Sequence, residues 1–142
     1  MIHHFFYLTP FSVLVYVCDV VQGAHSDMGT AAKEDRSKMN ATFIHPSNDD
    51  QVILGQGTSA KELLEDYPDL EFILTPVGGG GLLAGTALSA NYFSDKCEVI
   101  GAEPENVDDA YRSLKSGKIE FNDNSNTIAD GLRTFLGDRN FP

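Results

Sequence analysis

Val77-Gly78-Gly79-Gly80-Gly81-Leu82 stands between two apolar runs of different character. Ahead of it, Leu70-Glu71-Phe72-Ile73-Leu74-Thr75-Pro76 is short and β-prone. Behind it, Leu82-Leu83-Ala84-Gly85-Thr86-Ala87-Leu88-Ser89-Ala90-Asn91-Tyr92-Phe93 carries no charge at all. That order predicts a strand, a glycine loop and a buried helix. Glycines let the backbone turn tightly and let a ligand approach the main chain. The first N–H groups of the following helix lack intrahelical partners, and the helix dipole favours an anion there. The loop is therefore expected to cradle a phosphate. A flexible linker is the alternative, but linkers are flanked by polar residues, and both flanks here are apolar.

Working outward, the same alternation recurs. Ala41-Thr42-Phe43-Ile44 predicts a short buried strand, ended by His45-Pro46, with Ser47-Asn48-Asp49-Asp50 as a polar loop. Gly55-Gln56-Gly57-Thr58 follows, and Ser59 with Glu62 makes a capping-box pattern for a helix from Thr58 or Ser59. Ala60, Leu63, Leu64 and Tyr67 give that helix one apolar face, and Pro68 stops it. Residues 97–103 predict another strand. Residues 106–116 predict a helix with Val107, Ala110, Tyr111 and Leu114 facing inward and Gly117 as its C-cap. Residues 27–39 predict a polar helix, and residues 127–136 a short helix or loop. Strands alternating with helices define an α/β fold of three layers, a mainly parallel sheet with helices on both faces. Ligands of such sheets sit beyond the carboxyl ends of the strands. The loops after Ile44, Val77 and Glu103 are expected to meet there.

The 142 residues carry 21 acidic against 10 basic side chains, a net charge of -11. This excludes nucleic acid and anionic membrane surfaces as partners, since both need clustered Lys and Arg. A phosphate must then be held by backbone dipoles. Cys18 and Cys97 form no C-x-x-C pair and no disulfide framework, so a reducing cytoplasm is expected, with Cys97 a small buried thiol. Residues 5–21 are apolar apart from Thr9, Ser12 and Asp19, and Pro10 interrupts them. That is short for a membrane span, and the start lacks the basic residues of a secretory signal. Residues 1–26 are left as an unassigned leader, foreign or hydrophobic, with a signal or anchor as the alternative. Residues 27–142 form the domain.

The residues admit more than one chemistry. Gly79-Gly80-Gly81-Leu82-Leu83-Ala84 fits G-x-G-x-x-A after a strand, and Glu103 ends the next strand where a dinucleotide fold places its ribose-binding acid. An NAD site stays open on pattern alone, whereas a Walker loop is excluded because no Gly-Lys-Ser/Thr follows. Glu103, Asp108 and Asp109 are either helix-start acids favoured by the dipole or oxygen ligands for Mg, Ca or Mn. His45 is expected to be a hydrogen-bonded strand-end residue, since no Ser-His-Asp or Cys-His arrangement is legible.

Five segments in order carry a family resemblance: Ala41-Thr42-Phe43-Ile44-His45-Pro46, Gly55-Gln56-Gly57-Thr58, Pro76-Val77-Gly78-Gly79-Gly80-Gly81-Leu82, Gly101-Ala102-Glu103-Pro104-Glu105-Asn106 and Thr127-Ile128-Ala129-Asp130-Gly131-Leu132. Over residues 27–142 the chain resembles the serine racemase and serine/threonine dehydratase family of pyridoxal-phosphate enzymes, of fold type II and tryptophan synthase beta-like. The resemblance favours pyridoxal phosphate over NAD. It implies that Gly78, Gly79, Gly80 and Gly81 bind the cofactor phosphate with the Leu82 N–H close by, and that Ser47 falls where relatives contact the cofactor. It implies that Glu103, the Val107 carbonyl and Asp109 form a structural site for Mg2+, or Ca2+ or Mn2+.

The resemblance implies chemistry that starts from a lysine Schiff base and goes on to loss of the α-proton of L-serine or L-threonine. Reprotonation racemises, and loss of the β-hydroxyl gives a keto acid and ammonia. The sequence does not separate racemase from dehydratase. The Schiff-base lysine belongs to a Ser-x-Lys-x-Arg-Gly segment, and none of Lys33, Lys38, Lys61, Lys96, Lys115 and Lys118 has that context. The chain therefore resembles part of an ammonia-lyase or racemase whose full-length parent is a homodimer, and by itself it is expected to be inactive and to contribute no catalytic residue. A non-catalytic phosphate- or metal-binding module is the alternative.

Overall fold

The computed structural model describes residues 42–141, which fall almost wholly within one compact unit, Ile44–Pro142. The leader, Cys18 and the helix expected over residues 27–39 lie outside the described residues. Asp49 opens the first helix. Its carboxylate accepts the N–H groups of Gln51 at 2.9 Å and Val52 at 3.3 Å, the N-cap arrangement that satisfies helix-start donors. Helix α1 spans Asp50–Gln56 and α2 spans Thr58–Asp66. The polar stretch after Asp49 and the Gly55-Gln56 pair are helical, with Gly57 (φ -65°) shared between the two helices. The capping box is also not used: Thr58 and Ser59 donate their hydroxyls backwards, to the carbonyls of Gly55 (2.8 Å) and Gln56 (3.0 Å).

Strands β1 (Phe72–Pro76) and β2 (Glu98–Ala102) pair in parallel, Phe72 opposite Glu98 and Pro76 opposite Ala102. Helix α3 (Gly81–Phe93) makes the crossover between them and packs against both strands and against α1 and α2. The α/β class and the parallel sheet are as expected. Among the described residues helices cover one face of the sheet, and Phe72, Leu74 and Ile100 stand exposed. Residues 42–45 are irregular, not the strand expected over 41–44. Among the described residues the sheet consists of β1 and β2.

The α1–α2 junction meets α3 at backbone distance. A Cβ on Gly85 would collide with the Ile53 carbonyl and stand 2.6 Å from the Gly57 nitrogen. Ser89 Oγ donates to the Gly57 carbonyl at 2.6 Å. On α2, Ala60 and Leu64 are buried as expected, but Leu63 and Tyr67 are exposed, so the covered face is narrower than the apolar stripe.

Helix α4 (Asp109–Ser116) starts three residues later than expected and ends on Gly117 in the left-handed region (φ 74°), as its C-cap role requires. Val107 and Ala110 are buried, but Tyr111 and Leu114 are exposed. Ser113 takes the inner position instead. Its hydroxyl donates to the Asp109 carbonyl at 2.5 Å and accepts the Glu120 N–H at 2.9 Å. Two short 3-10 turns, Asp130–Leu132 and Asp138–Asn140, complete the described chain. The core cluster of Val77, Ala110 and Leu136, with Leu83 and Phe141 packed on it, holds both flanks of the glycine loop.

Candidate cofactor site

The loop between β1 and α3 has the shape its residues demand. Gly80 adopts φ 87°, ψ -10°, the left-handed region where a side chain is strained. The N–H groups of Gly78, Gly79, Gly80, Gly81, Leu82 and Leu83 donate to no acceptor among the described residues. These free donors precede a 13-residue helix, so backbone dipoles and the helix macrodipole favour an anion near the loop. In a chain of net charge -11, these backbone dipoles are a local source of positive potential.

Ser47 is brought to the loop. A Cβ on Gly79 would collide with Ser47 Oγ, and one on Gly81 would stand 2.8 Å from the Ser47 carbonyl. The His45 ring shapes this approach: its Nδ1 accepts the N–H groups of Ser47 (3.2 Å) and Asn48 (3.0 Å). The expected hydrogen-bonded role of His45 is met in a turn and not at a strand end.

Sequence reasoning missed the segment that walls the other side. Thr134 Oγ1 would stand 2.8 Å from a Cβ on Gly78, and Leu136 Cδ1 2.7 Å from a Cβ on Gly80. The Gly137 N–H donates to the Gly79 carbonyl at 3.0 Å, and Asn140 Nδ2 donates to the same carbonyl at 2.8 Å. Gly131 and Gly137 were the available signals, but no periodic pattern ties these residues to position 79.

A second cluster lies at the start of α4. The Glu103 carboxylate accepts the N–H groups of Ala110 (3.1 Å) and Tyr111 (2.8 Å). Burial pushes the Glu103 carboxyl above its ordinary range, the charges of Asp109 and Asp108 add to this, and the two N–H groups oppose it. Asp109 is 1% exposed. Its Oδ1 accepts Asn122 Nδ2 at 2.6 Å and its Oδ2 accepts the Leu136 N–H at 2.8 Å. Because Glu103 captures the Tyr111 N–H, the carbonyl of Val107, a residue with 0% exposure, accepts no hydrogen bond among the described residues. Cys97 is half-buried just before β2, a more open thiol than expected. No group of three or more His, Cys, Asp or Glu side chains among the described residues is arranged to hold a metal. A cation site here would rest on two carboxylates and a carbonyl. No helix among the described residues is long and apolar enough to cross a membrane.

In parallel α/β folds, phosphate-bearing cofactors are commonly bound at a glycine loop of this kind, where a strand leads into a helix. Residues 13–141 match the family model described as "Pyridoxal-phosphate dependent enzyme", and the chain belongs to that family of enzymes. It is 42% identical over 113 residues to the serine racemase of Oryza sativa subsp. indica, covering 80% of this chain and 33% of that one. Its fold superimposes on maize serine racemase with a TM-score of 0.79 at 40% identity, over 84% of this chain and 36% of that one. Threonine deaminase isoform 2 from Solanum lycopersicum gives 0.78 at 34%, over 86% and 34%. These matches carry the fold type II architecture. The chain spans about a third of the length of these relatives.

Proposed function

We propose that this chain is the phosphate-holding part of a pyridoxal-phosphate-dependent serine/threonine ammonia-lyase or serine racemase that takes L-serine or L-threonine. The observation that carries the proposal is the row of unpartnered N–H groups from Gly78 to Leu83. Gly78, Gly79, Gly80, Gly81 and the Leu82 N–H would hold the cofactor phosphate, and Ser47 would stand beside it. When bound, pyridoxal phosphate supplies the electron sink for the charge left by loss of the substrate α-proton. These residues bind and orient, and none of them is assigned a proton transfer. Titration with pyridoxal phosphate tests this. A Gly79→Val chain should lose the cofactor while keeping its circular dichroism, because a Val side chain collides with Ser47. Unchanged affinity would make the loop a mere connector. The chain alone should turn over no serine above the rate of free pyridoxal phosphate.

A divalent cation is proposed at Glu103, the Val107 carbonyl and Asp109, as Mg2+ or else Ca2+ or Mn2+. The donor set is all oxygen, as these hard cations prefer. The buried Val107 carbonyl without a donor supports it, and so does the concentration of negative charge around Glu103. The cation would neutralise that charge and tie the loop before α4 to its first turn. Thermal melts with and without Mg2+ test it: an Asp109→Ala chain should lose the metal-induced shift, and equal shifts would refute the site. The parent enzyme is proposed to work as a homodimer in the cytoplasm, supported by family habit and by the absence of a disulfide framework.

A further inference from the structure

The Gly79 carbonyl accepts from both the Gly137 N–H and Asn140 Nδ2. The same Nδ2 donates its other hydrogen to the Ser47 carbonyl at 2.6 Å. Two carbonyl partners fix that end of the carboxamide as nitrogen, since an amide oxygen there would face only acceptors. Asn140 Oδ1 is left buried with no partner among the described residues. A buried acceptor without a donor is unfavourable, so the carboxamide is held in place by what its two hydrogens do.

What they do is orient a peptide. The bond between Gly79 and Gly80 is trans and planar, so the Gly79 C=O and the Gly80 N–H point in opposite directions. Pinning that carbonyl toward residues 137–140 turns the Gly80 N–H away from them. That N–H donates to no acceptor among the described residues. Glycine on both sides of the peptide leaves no side chain to hold it, so its orientation rests on the Gly137 N–H and Asn140 Nδ2 together.

We infer that Asn140 is a positioning residue for the cofactor phosphate: by bracketing the Gly79 and Ser47 carbonyls it aims the Gly80 N–H at the phosphate. The inference rests on the glycine loop being the phosphate cradle. It is tested on the 142-residue chain by titrating pyridoxal phosphate against pyridoxal, which lacks the phosphate. The ratio of the two affinities is the gain due to the phosphate. Asn140→Ala should cut that gain about tenfold or more, the loss expected for one misaimed hydrogen bond to a charged acceptor. Asn140→Asp, which keeps the shape but offers no N–H, should cut it at least as far. Pyridoxal affinity should stay the same in both. In the unmutated chain, inorganic phosphate should move the Gly80 amide proton downfield, a readout that needs no variant to fold. A Gly80 amide that stays fixed while its loop neighbours move overturns the inference and leaves the cradle standing. So does a phosphate gain that is intact in both variants. No phosphate gain and no loop amide shift in the unmutated chain overturns cradle and inference together.

Discussion

Replacing Asp109 by alanine should be the most damaging single change at the second cluster. Its carboxylate is 1% exposed and serves two donors from distant parts of the chain, Asn122 Nδ2 at 2.6 Å and the Leu136 N–H at 2.8 Å. Asn122 is only half-buried, so its amide can turn to water at little cost. Leu136 is 8% exposed, and its N–H would be left buried with no acceptor, which costs about 1–3 kcal/mol. Loss of a charge-assisted bond and of packing around the removed carboxylate brings the total to about 2–4 kcal/mol. Asp109→Asn should cost less but more than nothing. Its oxygen can keep Leu136, but its new NH2 would face Asn122 Nδ2. Asn122 cannot simply flip, because its Oδ1 already accepts Arg112 at 2.6 Å. Urea melts of the three chains measure the order, with equal slopes required for the comparison. Amide exchange at Leu136 should accelerate in the alanine variant beyond the global change. A loss below about 1 kcal/mol in Asp109→Ala, with Leu136 exchange unaltered, would refute the reasoning, since a buried orphan donor costs at least that much.

Gly80→Ala should weaken pyridoxal phosphate binding and destabilise the chain by about 1–2 kcal/mol, the penalty of the left-handed region, since Gly80 has φ 87° and an added Cβ would stand 2.7 Å from Leu136 Cδ1 and 2.9 Å from Asn140 Cβ; denaturant melts and cofactor titration check it. Gly85→Ala should destabilise by about 1–3 kcal/mol through overpacking, because its methyl would meet backbone atoms of Ile53 and Gly57; a neutral melt would show that the helices can part. The Asn48 side-chain amide, 2.5 Å from Asp138, holds the Asp138 carboxyl below its ordinary range. A carboxyl lowered on folding contributes stability above its unfolded pKa and loses it as pH falls through the folded one. The stability gap between the unmutated chain and Asp138→Asn should therefore be constant above about pH 5 and close below about pH 4, as read in acid titrations of the melting point.

The loop and its flanking elements were legible because their causes are local. Consecutive glycines between a β-prone run and an uncharged run admit few conformations, and the strand–loop–helix order follows. Ser47 was legible only through the family resemblance. Thr134, Leu136, Gly137 and Asn140 were not, because their bearing on the loop is set by contacts across 61 residues or so and by no repeat of their own. Tyr111 and Leu114 misled for a related reason: an apolar stripe states which residues can be buried, and the neighbours decide which are. The engagement of Glu103 with the first turn of α4 left the Val107 carbonyl without a donor, and no spacing rule in the sequence announces a missing bond.

The contact of Gly57 and Gly85 makes α1 a gauge. Its far end touches the middle of α3 with no side chain between them, and its near end begins three residues after Ser47. Both ends of the interval from Ser47 to the glycine loop are thus set by helices whose lengths are countable. One residue added to α1 lengthens it by about 1.5 Å and turns its start by about 100°. A substitution anywhere on the exposed side of α1 leaves that interval alone, whereas a single insertion or deletion rotates Ser47 off the loop. Variation along α1 should therefore be tolerated in kind and forbidden in number.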